Sequence, residues 1–158
     1  MNVELDVQRA VEALPTDENF VTWVRQTLLE PSVDSSKLSG DDVELTIRIV
    51  DVNESAELNE QYRHKNGATN VLSFPFEAPA EVNLNLLGDL VICANVVQQQ
   101  ADEQQKDELA HWAHMVVHGT LHLLGYDHMN EAEAKDMETK ENIILSQLGY
   151  PDPYQEIE

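Results

Sequence analysis

Basic residues are scarce: 9 Lys and Arg stand against 30 Asp and Glu in 158 residues, a formal net charge of -21. A body this acidic repels polyphosphate, which excludes a broad basic nucleic-acid surface. The little positive charge is unevenly placed. Arg48, Arg63, His64 and Lys65 fall mid-chain, and no Lys or Arg occurs from 66 through 105, so only a small basic spot is available. Cysteine is nearly absent as well. The single Cys93 excludes an intramolecular disulfide and lies in an apolar, strand-like run, where it reads as a small buried hydrophobe. No run approaches the ~18 consecutive apolar residues of a membrane span. The first seven residues alternate apolar and acidic side chains, without the basic region and apolar core of a signal peptide. The expectation is a cytoplasmic protein without membrane contact.

What is present suits one domain over residues 1–158, with 42% hydrophobic residues to build a core. Residues 2–8 and 42–50 alternate as strands, the second placing Val43, Leu45, Ile47 and Ile49 on one face. Pro15-Thr16-Asp17-Glu18 opens a helix that Pro31 stops, and 54–63 suits a short helix capped by Asn53. Further strands are expected at 69–74 and around 90–94, the latter passing into a helix. The segment 102–124 gives the longest helical pattern, and a last helix runs from about 130 to 148, followed by a frayed tail at about 151–158. Strands and helices interleave, which implies an α/β fold of the α+β type: a small mixed sheet packed with helices.

Five of the six histidines fall between 111 and 128. His118 and His122 are four residues apart, so on a helix they share a face and can reach one ion. Gly125 can take the left-handed conformation that ends a helix, bringing His128 back as a third ligand and leaving a fourth position open. The spacing is that of the metzincin zinc proteases, HExxHxxGxxH, except that Gly119 stands where those enzymes carry their general base. Leu109, Trp112, Ala113, Val116, Leu123 and Leu124 project away from the histidines, which implies an amphipathic helix whose histidine face looks into a cleft. Three neutral imidazoles suit one Zn²⁺ per chain; Ni²⁺, Co²⁺ or Fe²⁺ fit the same ligands. His111 and His114 lie outside the spacing pattern and read as cleft lining or as partners of the ligands. Asp127 reads equally as a carboxylate orienting a ligand and as a turn residue.

Residues 118–128 resemble the signature H-G-x-L-H-L-x-G-Y-D-H of the YbeY endoribonucleases, or rRNA maturation factors. Two other blocks are similar to that family: Tyr62-Arg63 with Thr69-Asn70-Val71-Leu72-Ser73-Phe74-Pro75, and Gly88-Asp89-Leu90-Val91-Ile92. Met137, Glu141 and Leu145 follow its closing helix. Asn70 departs from the pattern, standing where the family usually has Asp. The resemblance implies a metal-dependent, single-strand-selective endoribonuclease acting in 16S rRNA 3′-end maturation and ribosome quality control. By that resemblance the metal ligands are His118, His122 and His128, and the essential arginine is Arg63. The implied partners are single-stranded RNA, rRNA and a ribosomal subunit or its proteins, with no DNA, and the expected state is a monomer.

At residue level, zinc would activate water or polarise the phosphate, with His118 in the catalytic centre and Arg63 contacting phosphate. Arg63 reads otherwise as one half of a surface salt bridge. The proton acceptor stays open among a second metal-bound water, the RNA 2′-hydroxyl, His111 and His114. Phe74 is expected to pack in the core, and the 75–86 loop to form a mobile wall of the cleft. Two other classes compete: a zinc metallopeptidase on the same ligands, and a non-catalytic assembly factor with a structural zinc completed by Asp127.

Overall fold

Alternation decides the sheet. Val43, Leu45, Ile47 and Ile49 are all buried on one face of β2 (Asp42–Val50). The computed structural model describes residues 2–36, 38, 42–77 and 85–154. In it β2 pairs parallel with β1 (Asn2–Arg9) on one side and with β4 (Leu86–Cys93) on the other. β3 (Val71–Pro75) runs antiparallel to β4, so the order is β1-β2-β4-β3. With the five helices among the described residues, this is the small mixed sheet packed with helices that the interleaved pattern implies.

One face of the sheet carries the main core. Phe20, Trp23 and Val24 of α1 (Asp17–Leu29) pack there with Trp112 and Leu121 of α4 (Glu108–Leu123) and Met137 and Leu145 of α5 (Glu131–Gln147). The other face is smaller. Val50, Leu72, Val91 and the buried Cys93 meet Leu58 of α2 (Val52–Arg63), Phe74 and Val96. Phe74 is a packing residue, as expected. Among the described residues no helix is long and apolar enough to cross a membrane.

Several boundaries differ from the sequence reading. α2 is capped by Asp51, whose side chain accepts from the Glu54 amide at 2.9 Å, and Asn53 lies inside the helix. The strand expected from 69 starts at Val71, because both backbone polar groups of Thr69 are taken by Ser55 Oγ, at 3.0 and 3.1 Å. The helix expected after the strand around 90–94 is α3 (Ala94–Glu103), while the helix expected over 102–124 starts only at Glu108, as α4. Gln105 turns left-handed between them (φ 55°), the Lys106 amide reaches back to the Ala101 carbonyl at 2.9 Å, and Asp107 caps α4. Nor is α4 amphipathic. His111 through Val117 are all buried, because the sheet covers one side while α1, α3 and α5 pack on the others. The tail also departs from expectation over 151–154: Pro153 is buried and its carbonyl accepts from Lys106 Nζ at 2.5 Å. Residues 155–158, and 78–84 of the loop expected to wall the cleft, lie outside the described residues.

Candidate metal centre

The last turn of α4 stacks His118 and His122 with ring centroids 4.6 Å apart and their Nε2 atoms separated by 3.1 Å. The helix then stops in a Schellman turn. The Gly125 amide bonds to the His122 carbonyl and the Tyr126 amide to the Leu121 carbonyl, each at 3.0 Å. Gly125 sits at φ 107°, which a side chain at that position would strain. The reversal returns His128 to 5.3 Å from the His122 ring and 6.0 Å from the His118 ring. One nitrogen from each of the three imidazoles lies within 4.8 Å of the others. Asp127 serves the turn: its Oδ1 accepts from the His128 amide at 2.8 Å and stands 3.9 Å from the ring Nδ1.

The sequence reading gave no role in the site to Glu141. It falls on the buried stripe of α5, four residues from Met137 and four from Leu145, and its side chain is 0% exposed. Oε1 lies 2.5 Å from His118 Nδ1; Oε2 lies 2.9 Å from His114 Nε2 and also accepts from Tyr154 Oη. A carboxylate only accepts, so His118 carries its proton on Nδ1 and turns the Nε2 lone pair toward His122. Burial alone would push the Glu141 carboxyl up, but hydrogen bonds from His114 and His118 more than offset it, holding it at about 2. Burial, reinforced by His118 and His128, lowers His122 to about 4, so this imidazole is neutral and ligand-ready at neutral pH.

Two overlapping groups could therefore hold a metal ion: His118, His122 and His128, and the more buried His114, His118 and Glu141. The donor chemistry fits a divalent transition metal at the first. Nitrogens bound tetrahedrally at ~2.0–2.1 Å lie roughly 3.3 Å apart, close to the observed 3.1 Å. A cavity of about 310 Å³ beside His118 and His128, walled by Met137, Glu138 and Glu141, gives access.

The family model described as Endoribonuclease YbeY matches residues 6–149, which include every residue of both groups. The chain belongs to the YbeY endoribonuclease family. Among solved structures, the solution structure of TM1509 from Thermotoga maritima is similar, with 22% identity and a TM-score of 0.54. The match covers 96% of this chain and 99% of that one, a likeness of fold. Membership in the YbeY family supports a hydrolase acting on RNA, with a role in rRNA processing.

Within this YbeY frame the remaining candidates separate. Arg63 ends α2, exposed, and among the described residues it makes no ion pair or hydrogen bond, so the surface salt bridge considered for it is not formed. Arg48 does pair, donating to Glu54 at 2.5 and 2.9 Å, which removes it from the basic spot and leaves Arg63, His64 and Lys65. Tyr62 stands edge-on to Phe74 at 5.1 Å, and the adjoining Ser73 reaches the Gly119 carbonyl across 3.5 Å, so β3 links the end of α2 to α4. Asn70 is a crosslink: Oδ1 accepts from the Val71 amide at 2.7 Å and Nδ2 donates to Gln100 Oε1 at 3.2 Å. His111 bonds the same Gln100 oxygen at 3.0 Å, away from the imidazole cluster. Gly119 faces the sheet, where an added Cβ would lie 2.7 Å from Leu90 Cδ2.

Proposed function

We propose that this member of the YbeY family is a single-strand-selective, zinc-dependent endoribonuclease that acts in 16S rRNA 3′-end maturation and ribosome quality control. The observation that carries the reading is the convergence of His118, His122 and His128, with His118 oriented by a buried carboxylate, in a chain matched by an endoribonuclease family. His118, His122 and His128 would hold one Zn²⁺, Ni²⁺ being an alternative. A bound ion supplies Lewis acidity toward a phosphoryl oxygen and acidifies water. The chain's own residues do the rest. Glu141 keeps the His118 proton on Nδ1, so the ring cannot turn its lone pair inward. Arg63, exposed and free of a described partner, is suited to bidentate phosphate binding and to stabilising the charge that builds in the transition state.

RNA enters an otherwise acidic surface, so recognition is assigned to the Arg63-His64-Lys65 spot and to a ribosomal subunit or its proteins. The protein would act as a cytoplasmic monomer. The metallopeptidase reading is disfavoured because Gly119 supplies no base and its position faces the apolar Leu90 and Val71 side chains. A structural zinc completed by Asp127 is disfavoured because Asp127 is not among the residues whose ligand atoms converge with His118, His122 and His128.

Purified protein offered single-stranded RNA, duplex RNA and a casein-type peptide tests these readings together. Cleavage of the single strand alone is expected, abolished by chelation and by His118→Ala, and reduced ~10²–10³-fold by Arg63→Ala. Full RNA cleavage by a His118→Ala protein that has lost its metal would refute the proposal. Peptide cleavage without RNA cleavage would revive the peptidase.

A further inference from the structure

Tyr154 lies beyond residues 6–149, the span matched by the family model, yet its hydroxyl reaches the buried half of the site. Oη donates to Glu141 Oε2 and stands 3.2 Å from His114 Nε2, with the phenol ring edge-on to His114 at 5.3 Å. The same residue walls the cavity that reaches His118 and His128. The tail that delivers it is anchored at several points. Lys106 Nζ holds the Pro153 carbonyl, Asp152 Oδ1 accepts from the Tyr154 amide at 2.9 Å, and Tyr150 rests against Trp23.

The geometry gives this contact a purpose. Glu141 Oε1 has His118 Nδ1 at 2.5 Å, while Oε2 takes two donors, His114 and Tyr154. His118 and His114 each hold one carboxylate oxygen from α4, and Tyr154 adds a third donor from the tail. That donor, coming from another direction, narrows the swing left to the carboxylate about its last bond. Burial and the Glu141 charge push the phenol well above its usual range, so it remains a donor.

We propose that Tyr154 is a positioning residue of the metal centre, its hydroxyl locking Glu141 so that His118 is held with Nε2 toward the ion. The inference rests on His118, His122 and His128 being the ligands. Groups that orient a ligand typically contribute 10–100-fold in metal affinity. Loss of one of two donors on Oε2 corresponds to about 10-fold.

The test uses the full chain as wild type, Tyr154→Phe, Lys106→Met and His122→Ala, with Zn²⁺ affinity read by chelator competition and ligand geometry by the visible spectrum of bound Co²⁺. Tyr154→Phe keeps the ring against His114 and is expected to bind Zn²⁺ about 10-fold more weakly, with a shifted Co²⁺ spectrum. Lys106→Met keeps the hydroxyl but releases the tail, and a loss of a few-fold is expected; this arm carries the test should Tyr154→Phe fail to fold. Wild-type affinity and spectrum in Tyr154→Phe, beside lost binding in His122→Ala, would overturn the role of Tyr154 alone. In the absence of a foldable Tyr154→Phe, unchanged affinity in Lys106→Met does the same. Equal Zn²⁺ binding by wild type and His122→Ala would overturn the ligand reading, and the role of Tyr154 with it.

Discussion

The two groups that share His118 are finished differently. In the inner one, Glu141 is fully buried and accepts from His114, His118 and Tyr154. In the outer one, the His128 side chain is 57% exposed, and His118 and His122 face each other through nitrogens 3.1 Å apart. One imidazole joins the two, its Nδ1 satisfied inward and its Nε2 left for the cleft. The inner group is thereby suited to holding the fold and the outer group to holding an ion, so stability and metal binding should respond to different substitutions.

The largest effect is expected at the joint's inner side. Glu141→Ala takes away the acceptor shared by His118 Nδ1, His114 Nε2 and Tyr154 Oη, leaves only the His114–Tyr154 contact among them, and opens a cavity; it should cost about 2–4 kcal/mol in urea unfolding of the metal-free protein. A loss below about 1 kcal/mol would break the division.

A pH scan of metal-free stability resolves the two groups in separate windows. His122 is held at about 4, as is His111 about three turns earlier on α4, where burial and then the charges of His114 and Lys106 act. Unfolded imidazoles titrate near 6.5. Between those values the unfolded chain binds protons that the native chain does not, so stability falls as pH drops from about 6.5 to about 4. The loss should be on the order of 3 kcal/mol from the buried His111, with a smaller share from the part-exposed His122 after allowing for solvent screening. Glu141, held at about 2 against an ordinary 4.5, adds a further loss only as pH falls from 4.5 toward 2. His122→Ala should shrink the fall in the upper window to the share of His111 and leave the lower one in place; loss of both windows would show that the groups are not separable.

The smallest stability effect belongs to His128→Ala. An exposed ring with few native bonds should shift metal-free stability by less than ~0.5 kcal/mol, while calorimetric titration shows Zn²⁺ affinity sharply reduced.

The outer group was legible because helical spacing and a helix-ending glycine are local rules, and residues 118–128 contain all of both. The sheet was legible for the same reason, since β2 alternates without interruption. The inner group depends on tertiary register. Glu141 sits in a helix crowded with acidic residues, and only its place midway between Met137 and Leu145 distinguishes it from a solvated carboxylate. Tyr154 follows Gly149, Pro151 and Pro153, a composition that reads as a loose end until Lys106 and Glu141 are brought beside it by folding. The break between α3 and α4 was hidden because Gln104, Gln105 and Lys106 are good helix formers, and tertiary packing overrode them. In sequence Gly119 marks the absence of a base; in space it is a contact, where an added Cβ would press on the Leu90 side chain.

The Schellman turn at Gly125 has a dynamic consequence. Two of the three clustered imidazoles belong to a long, deeply packed helix, whereas His128 stands outside it, in the short segment leading to α5. An ion gripped by all three would stitch that segment to the helix end. Residues 124–130 would then act as a latch whose amide hydrogen exchange slows on loading, while the interior of α4, already protected, stays unchanged. Occupancy could be followed from backbone protons alone, with no substrate in the tube.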